Sequence, residues 1–206
     1  SNVAIGYNSG SGTAASTGAV SVGYQAAKTT VANYAVSIGY QAGYTNSSGI
    51  NIGYKAGYAS TTANPDTISI GYQAGYTANG GVGASIAIGT NALYTANSGN
   101  FGVVIGYEAG KMLVNSTGNI AIGYQAAYQN TIGGGSYNIA FGHQAGYYVT
   151  GVNNICIGYQ AGSYSNILSS HQNICIGYGA GNAMTSGGNN VVIGGYSGSG
   201  SFVNIT

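Results

Sequence analysis

A glycine returns along the whole chain at Gly6, Gly23, Gly39, Gly53, Gly71, Gly89, Gly106, Gly123, Gly142, Gly158, Gly177 and Gly194, at intervals of 14 to 19 residues. Around it the sequence reads roughly N-I-x-I-G-Y-Q-A-G-Y, followed by a loop of Ser, Thr, Asn and Gly that takes up all the variation in length. Self-similarity at a short fixed period marks an architecture of stacked units, each touching only its neighbours. No shift in composition interrupts it, so residues 1–206 are expected to form one repeat domain, itself a segment of a longer fibrous protein.

The residues before each glycine alternate, as in Ile68-Ser69-Ile70 and Ile120-Ala121-Ile122. That is the period of a strand and not of a helix. The outer two positions of the triplet are Val, Ile or Phe in every unit, and are read as the core. Three residues past the glycine stands Ala in ten units, for example Ala26, Ala74, Ala145 and Ala180, which is read as a second short strand facing a tight space. Identical units stacked about 4.8 Å apart turn this pattern into continuous parallel ladders, and twelve of them give a rod about 55 Å long. The expected fold is therefore all-β, a parallel β-solenoid (β-roll) of about twelve short coils. The repeated glycine is expected at a corner with positive φ or close backbone approach.

Between the two Val/Ile columns lies a column of small residues, including Ala4, Ser21, Ser37, Asn51, Ser69, Ala87, Ala121 and Ala140. By alternation it points away from the Val/Ile core, and a strand face open to water would accept Lys, Glu, Thr or Tyr somewhere among twelve units. None occurs, so Ala4, Ser21, Ser37, Ser69, Ala87, Ala121 and Ala140 are read as an oligomer contact. The alternative is a monomer with a merely crowded face.

Charge excludes several partners. Asp, Glu, Lys and Arg together number five, for a formal net charge of +1. With only Lys28, Lys55 and Lys111 as basic side chains, no nucleic-acid backbone could be held along its length. No apolar run is long enough for a membrane span. Disorder requires low hydrophobicity with high charge, whereas 44% of these residues are apolar or aromatic, so the chain is expected to be ordered.

The units Ser85-Ile86-Ala87-Ile88-Gly89-Thr90-Asn91-Ala92-Leu93-Tyr94 and Asn119-Ile120-Ala121-Ile122-Gly123-Tyr124-Gln125-Ala126-Ala127-Tyr128 resemble the repeats of phage-type tail fibres, and are similar to the head repeats of YadA-like trimeric autotransporter adhesins. The resemblance covers essentially the whole chain. It implies a left-handed, trimeric β-roll that binds cell-surface or matrix ligands. Coils averaging 17 residues, and the abundance of Tyr, depart from the compact adhesin repeat.

Little in the sequence suits catalysis. Glu108 and His143 stand two coils apart, about 10 Å, beyond hydrogen-bond reach. Asp66 and His171 fall in separate loops. No paired carboxylates or metal-spaced ligands occur, so no enzyme activity, cofactor or metal is expected. Cys156 and Cys175 share the small column in adjacent coils, and either fill it or form a disulfide. Parallel side chains suit the bridge poorly. Sequons at Asn46, Asn115 and Asn204 fall in loops or near the end.

Tyrosine is the most interpretable surface feature. One column follows the repeated glycine (Tyr7, Tyr24, Tyr40, Tyr54, Tyr72, Tyr107, Tyr124, Tyr159, Tyr178), and a second holds Tyr44, Tyr58, Tyr76, Tyr94, Tyr128 and Tyr147. Stacked rings either seal the coils or offer a carbohydrate platform; the second column, which also accepts Lys and Ser, is the candidate binding surface. The function expected is a fibrous adhesive or structural shaft, extracellular, on a cell surface or virion, self-associating as a homotrimer and binding glycans. The alternatives are a structural filament joined end to end and, ranked last, an ice-binding protein.

Overall fold

The computed structural model describes residues 1–12, 16–29, 33–45, 49–59, 67–79, 85–97, 102–130, 135–163, 171–182, 184 and 187–195. Asn46, Pro65, Asp66 and Asn204 lie outside them. Among the described residues there are sixteen short strands and no helix: β1 (Val3–Ile5), β2 (Val20–Val22), β3 (Val36–Ile38), β4 (Ile50–Ile52), β5 (Ile68–Ile70), β6 (Thr77–Asn79), β7 (Ile86–Ile88), β8 (Thr95–Asn97), β9 (Val103–Ile105), β10 (Met112–Leu113), β11 (Ile120–Ile122), β12 (Gln129–Asn130), β13 (Ile139–Phe141), β14 (Ile155–Ile157), β15 (Ile174–Ile176) and β16 (Val191–Ile193).

Twelve of them, one per repeat, form a single parallel sheet in the order β1-β2-β3-β4-β5-β7-β9-β11-β13-β14-β15-β16. β6 pairs with β8, and β10 with β12, as two small satellite sheets. Register is kept throughout: Ile68 lies beside Ile86, Ser69 beside Ala87 and Ile70 beside Ile88. The chain is a β-solenoid whose β-branched triplets stack like on like. A three-residue strand has too few hydrogen bonds to persist alone, and here each interior strand is bonded on both edges.

The repeated glycine is required twice over. Gly71 sits at φ 134°, and a Cβ built there would lie 2.6 Å from the carbonyl oxygen of Gly89 in the next coil. Any larger residue would force the coils apart.

The orientation of the triplet is the reverse of the sequence expectation. Ser21, Ser37, Ser69, Ala87, Ala121 and Ala140 are buried inside the single chain, whereas the Val/Ile/Phe columns face outward, half-buried or exposed. Ala4 is open only because it lies in the terminal coil. The small column is therefore not an oligomer contact. What packs against it is the chain's own corner: a Cβ on Gly146 would lie 3.3 Å from the Cβ of Ala140, and one on Gly75 would lie 2.6 Å from Oγ of Ser69. The two walls of the coil approach so closely that only Ala, Ser, Asn, Cys or Val fit between them, and Ile is driven outside.

The Ala segment is a run of turns, not a second strand. It still stacks coil on coil through backbone bonds such as Gly43 N to Ala56 O at 2.8 Å and Gly57 N to Ala74 O at 2.9 Å. The turn requires left-handed backbone two residues past the repeated glycine, at Gln25, Gln41, Gln73, Gln125 and Gln144 (φ 51° to 54°). It requires it again two residues later, where Gly43, Gly57 and Gly75 stand in some coils and Ala27, Leu93 and Ala127 in others.

Candidate surface sites

Three columns reach the outside of the solenoid: the paired Val/Ile/Phe face and the two tyrosine ladders. The first is flat and uncharged. Val, Ile or Phe stands at both ends of all twelve main strands, and the solvent sees, for example, 53% of Phe141 and 36% of Ile120. Among the described residues no strand or sheet packs over this strip, about 55 Å long, and its side chains stay half-buried or exposed. Contiguous apolar surface of this extent marks an interaction site on soluble proteins.

The ladder that follows the repeated glycine is built by the corner itself. Each corner points one ring in the same direction, and the coil spacing puts neighbours in contact. Ring centroids are 5.4 Å apart for Tyr7 and Tyr24, 5.2 Å for Tyr24 with Tyr40 and for Tyr40 with Tyr54, and 4.9 Å for Tyr54 with Tyr72, with planes within 16° of parallel. Thr90 interrupts the ladder; it resumes with Tyr107 and Tyr124, passes through His143, and ends with Tyr159 and Tyr178. His143 is thus a ring in the stack, 4.7 Å from Tyr124 and 4.9 Å from Tyr159. The tyrosines of this ladder are all exposed, as are Tyr34, Tyr137 and Tyr148 outside it.

The second ladder, Tyr44, Tyr58, Tyr76, Tyr94, is half-buried, with centroids 4.9 to 5.2 Å apart. Tyr128 and Tyr147 form a separate pair at 4.8 Å, and Tyr148 meets Tyr147 edge-on. Burial pushes the Tyr147 phenol up from its ordinary range. All three lysines sit against these rings: Lys28 donates to the Tyr44 hydroxyl at 3.1 Å, Lys55 lies over Tyr54 and Tyr58, and Lys111 lies over Tyr128. In both ladders the ring faces that a sugar would stack on are covered by neighbouring rings.

Two amide ladders carry no obvious signal in the sequence beyond their composition. One joins the left-handed corner residues: Gln41 donates to Gln25 at 2.9 Å, Gln144 to Gln125 at 3.0 Å and Gln160 to Gln144 at 2.9 Å. Glu108 belongs to this column and not to any catalytic pair. It accepts from Gln125 at 2.9 Å and from Lys111 at 2.6 Å. Burial alone would raise its carboxyl, but the bonds from Lys111, Gln125 and Asn91 outweigh this and hold it below the usual range.

The second amide ladder is buried at the entrance to the strands. Oδ1 of Asn119 accepts from the backbone N of Asn138, Asn138 from Asn154, Asn154 from Asn173 and Asn173 from Asn190, at 2.8 to 3.1 Å.

Cys156 and Cys175 are register partners on β14 and β15, both buried and both free thiols. The hydrogen bond to Cys175, together with burial, pushes the Cys156 thiol up. His171 accepts from the backbone N of Val152 at 3.0 Å, closing a loop. Asn115 is exposed, in left-handed backbone. Among the described residues, no three of His, Cys, Asp and Glu lie close enough together to hold a metal ion, and no helix is long and apolar enough to cross a membrane. Comparison with protein-family models, with curated proteins and with solved structures finds no match to this chain.

Proposed function

We propose that this chain is a shaft segment of an extracellular fibre, of the tail-fibre or adhesin kind, in which copies of the chain pack through the Val/Ile/Phe face. The observation that supports this reading is the location of that face. The bulky apolar residues of every coil lie on the outside of a solenoid whose interior is filled by small residues such as Ala and Ser, and among the described residues no second layer of the chain packs over them. Association of like faces would remove them from water, each fully buried side chain contributing about 1.5–3 kcal/mol. A homotrimer places three such faces around one axis, as the repeat resemblance implies.

Carbohydrate binding is the second element of the proposal, and the geometry favours hydroxyl rows over ring faces. Stacked phenols spaced about one coil apart can offer a regular line of donors and acceptors to an extended glycan, but cannot offer a ring face.

The assembly is tested by replacing Ile120 and Ile122 together with Lys. Both side chains point outward, so the solenoid tolerates the change, whereas an intersubunit contact would bury two unpaired charges. Parent protein is expected to sediment as a trimer at micromolar concentration, and the variant as a folded monomer with unchanged circular dichroism. A monomeric parent, or a variant that assembles like the parent, rules the interface out.

A further inference from the structure

We infer that the exposed tyrosine ladder is a site of oxidative cross-linking, in which neighbouring coils become joined through dityrosine. Six pairs meet the requirement of two adjacent exposed phenols: Tyr7–Tyr24, Tyr24–Tyr40, Tyr40–Tyr54, Tyr54–Tyr72, Tyr107–Tyr124 and Tyr159–Tyr178. Their centroids lie 4.9 to 5.4 Å apart, so a radical formed on one ring meets its partner without diffusion. A biaryl bond needs one ring to swing out of the stack. The exposure of these rings, from 39% at Tyr54 to 66% at Tyr7, leaves room for that movement.

A second, independent observation concerns the residues that would compete for the oxidant. The chain has no Trp and two Cys, and both thiols are buried. Of its two methionines, Met184 is buried and Met112 half-buried. The groups usually oxidised before tyrosine are absent or withdrawn, and the exposed phenols are the surface that remains.

The reaction balances with hydrogen peroxide acting through a haem peroxidase. Each of two phenols gives one electron and one proton, and the peroxide takes both pairs and leaves as two waters. The two phenoxyl radicals join by one carbon–carbon bond between ring positions ortho to the oxygens. Each coupled ring then moves its ortho hydrogen to oxygen, restoring two phenols.

The test is treatment of the dilute full chain with peroxide and a haem peroxidase, read by dityrosine fluorescence and by peptide mapping, where each link removes two hydrogens from the mass. Links are expected within single chains, at the six pairs and not across Thr90 or between Tyr124 and Tyr159, which His143 separates. Tyr34 and Tyr137 provide a control for exposure alone. They are 75% and 61% exposed and lie against Gly18 and Gly118, with no stacked ring beside them among the described residues. The half-buried ladder of Tyr44, Tyr58, Tyr76 and Tyr94 provides a control for stacking alone.

Replacing Tyr24 and Tyr54 with Phe keeps the stack but leaves two of the six pairs, so the yield should fall at least twofold with the fold unchanged. The linked parent should also melt higher than the untreated chain. Links that map mainly to Tyr34 and Tyr137, or equally to both ladders, overturn the assignment. So does a yield no greater than that of the chain unfolded in denaturant, or one unaffected by the double replacement.

Discussion

The coils from Tyr44 to Tyr94 and those from Asn119 to Asn190 share one backbone and are fastened differently. In the first group the interior column is largely polar, with Ser37, Asn51 and Ser69 buried, and an unbroken run of four stacked tyrosines lies at the corner. In the second the interior is Ala121, Ala140, Cys156 and Cys175, and a buried asparagine ladder fastens the strand entrances. The position of the asparagine ladder is occupied in the first group by Ala35, Gly49, Thr67 and Ser85, which cannot form it. The register of the main sheet is nonetheless the same in both. The repeated glycine and the strand triplet therefore define the coil, and the side-chain ladders are interchangeable ways of fixing one coil on the next. Because stability in a solenoid is local, each ladder should protect its own coils.

The largest expected difference comes from Asn154→Ala. Asn154 bridges its neighbours: its Nδ2 donates to Asn138, and its Oδ1 accepts from both the backbone N and the Nδ2 of Asn173. Truncation leaves two buried donors, the backbone N and Nδ2 of Asn173, without their acceptor, at about 1–3 kcal/mol each, while Oδ1 of Asn138 keeps the bond from the backbone N of residue 154. Amide hydrogen exchange should accelerate markedly from Asn138 to Asn190 and remain at the parental rate from Val36 to Ile88. A uniform acceleration would mean that the rod unfolds as one unit and that the two groups of coils do not differ in fastening.

Tyr58→Ala is the counterpart in the first group and should cost less. It removes two ring contacts, with Tyr44 at 5.0 Å and Tyr76 at 5.2 Å, together worth about 1–3 kcal/mol beyond lost area. Faster exchange should be confined to the coils around Ile50 to Ile70, and Tyr58→Phe should restore the parental rates. Failure of Phe to rescue would assign the effect to the hydroxyl and not to stacking.

The period, the strands and the glycine column were legible because each imposes a residue type at a fixed interval. The facing of the strand was not. Alternation shows that two faces differ, and large apolar side chains are normally inside, but a coil whose far wall is Ala26, Ala42 and Ala74 has no room for Ile. The informative signal was the strict smallness of the column containing Ser37 and Ala121, which is what a confined interior demands. The second ladder was placed correctly as partly solvated, since a position that accepts Lys28 and Lys111 cannot be closed. The covering of ring faces was not legible, because it depends on the coil spacing and the shared ring direction. The left-handed Gln corner is not legible either, because Gln, unlike Gly or Asn, carries little preference for positive φ.

Acid should separate the two groups of coils most gently. Glu108 is the chain's only acidic residue besides Asp66, and it stands just ahead of the asparagine-fastened coils. Its folded-state carboxyl lies below its unfolded value, so the stability it contributes is fully present above the usual carboxylate range and is lost as pH falls through the lower folded value. Lys111 is shifted upward, chiefly by its hydrogen bond to Glu108, so its share is present below the ordinary lysine range and is lost as pH rises through the folded value. Gln fits this position, because Gln125 donates to Glu108 as Gln144 donates to Gln125. Glu108→Gln should therefore shift the melting temperature by no more than about 2–4 °C at neutral pH, the range for roughly 1 kcal/mol in a domain of this size. It should also abolish the acid-dependent loss of amide protection around Ile105 to Ile122, measured as protection factors relative to the intrinsic rate at each pH, while the protection factors from Val36 to Ile70 stay flat with pH in both proteins. If the parent's protection factors around Ile105 to Ile122 do not change between neutral and acid pH, the Glu108–Lys111 pair is not part of the fastening.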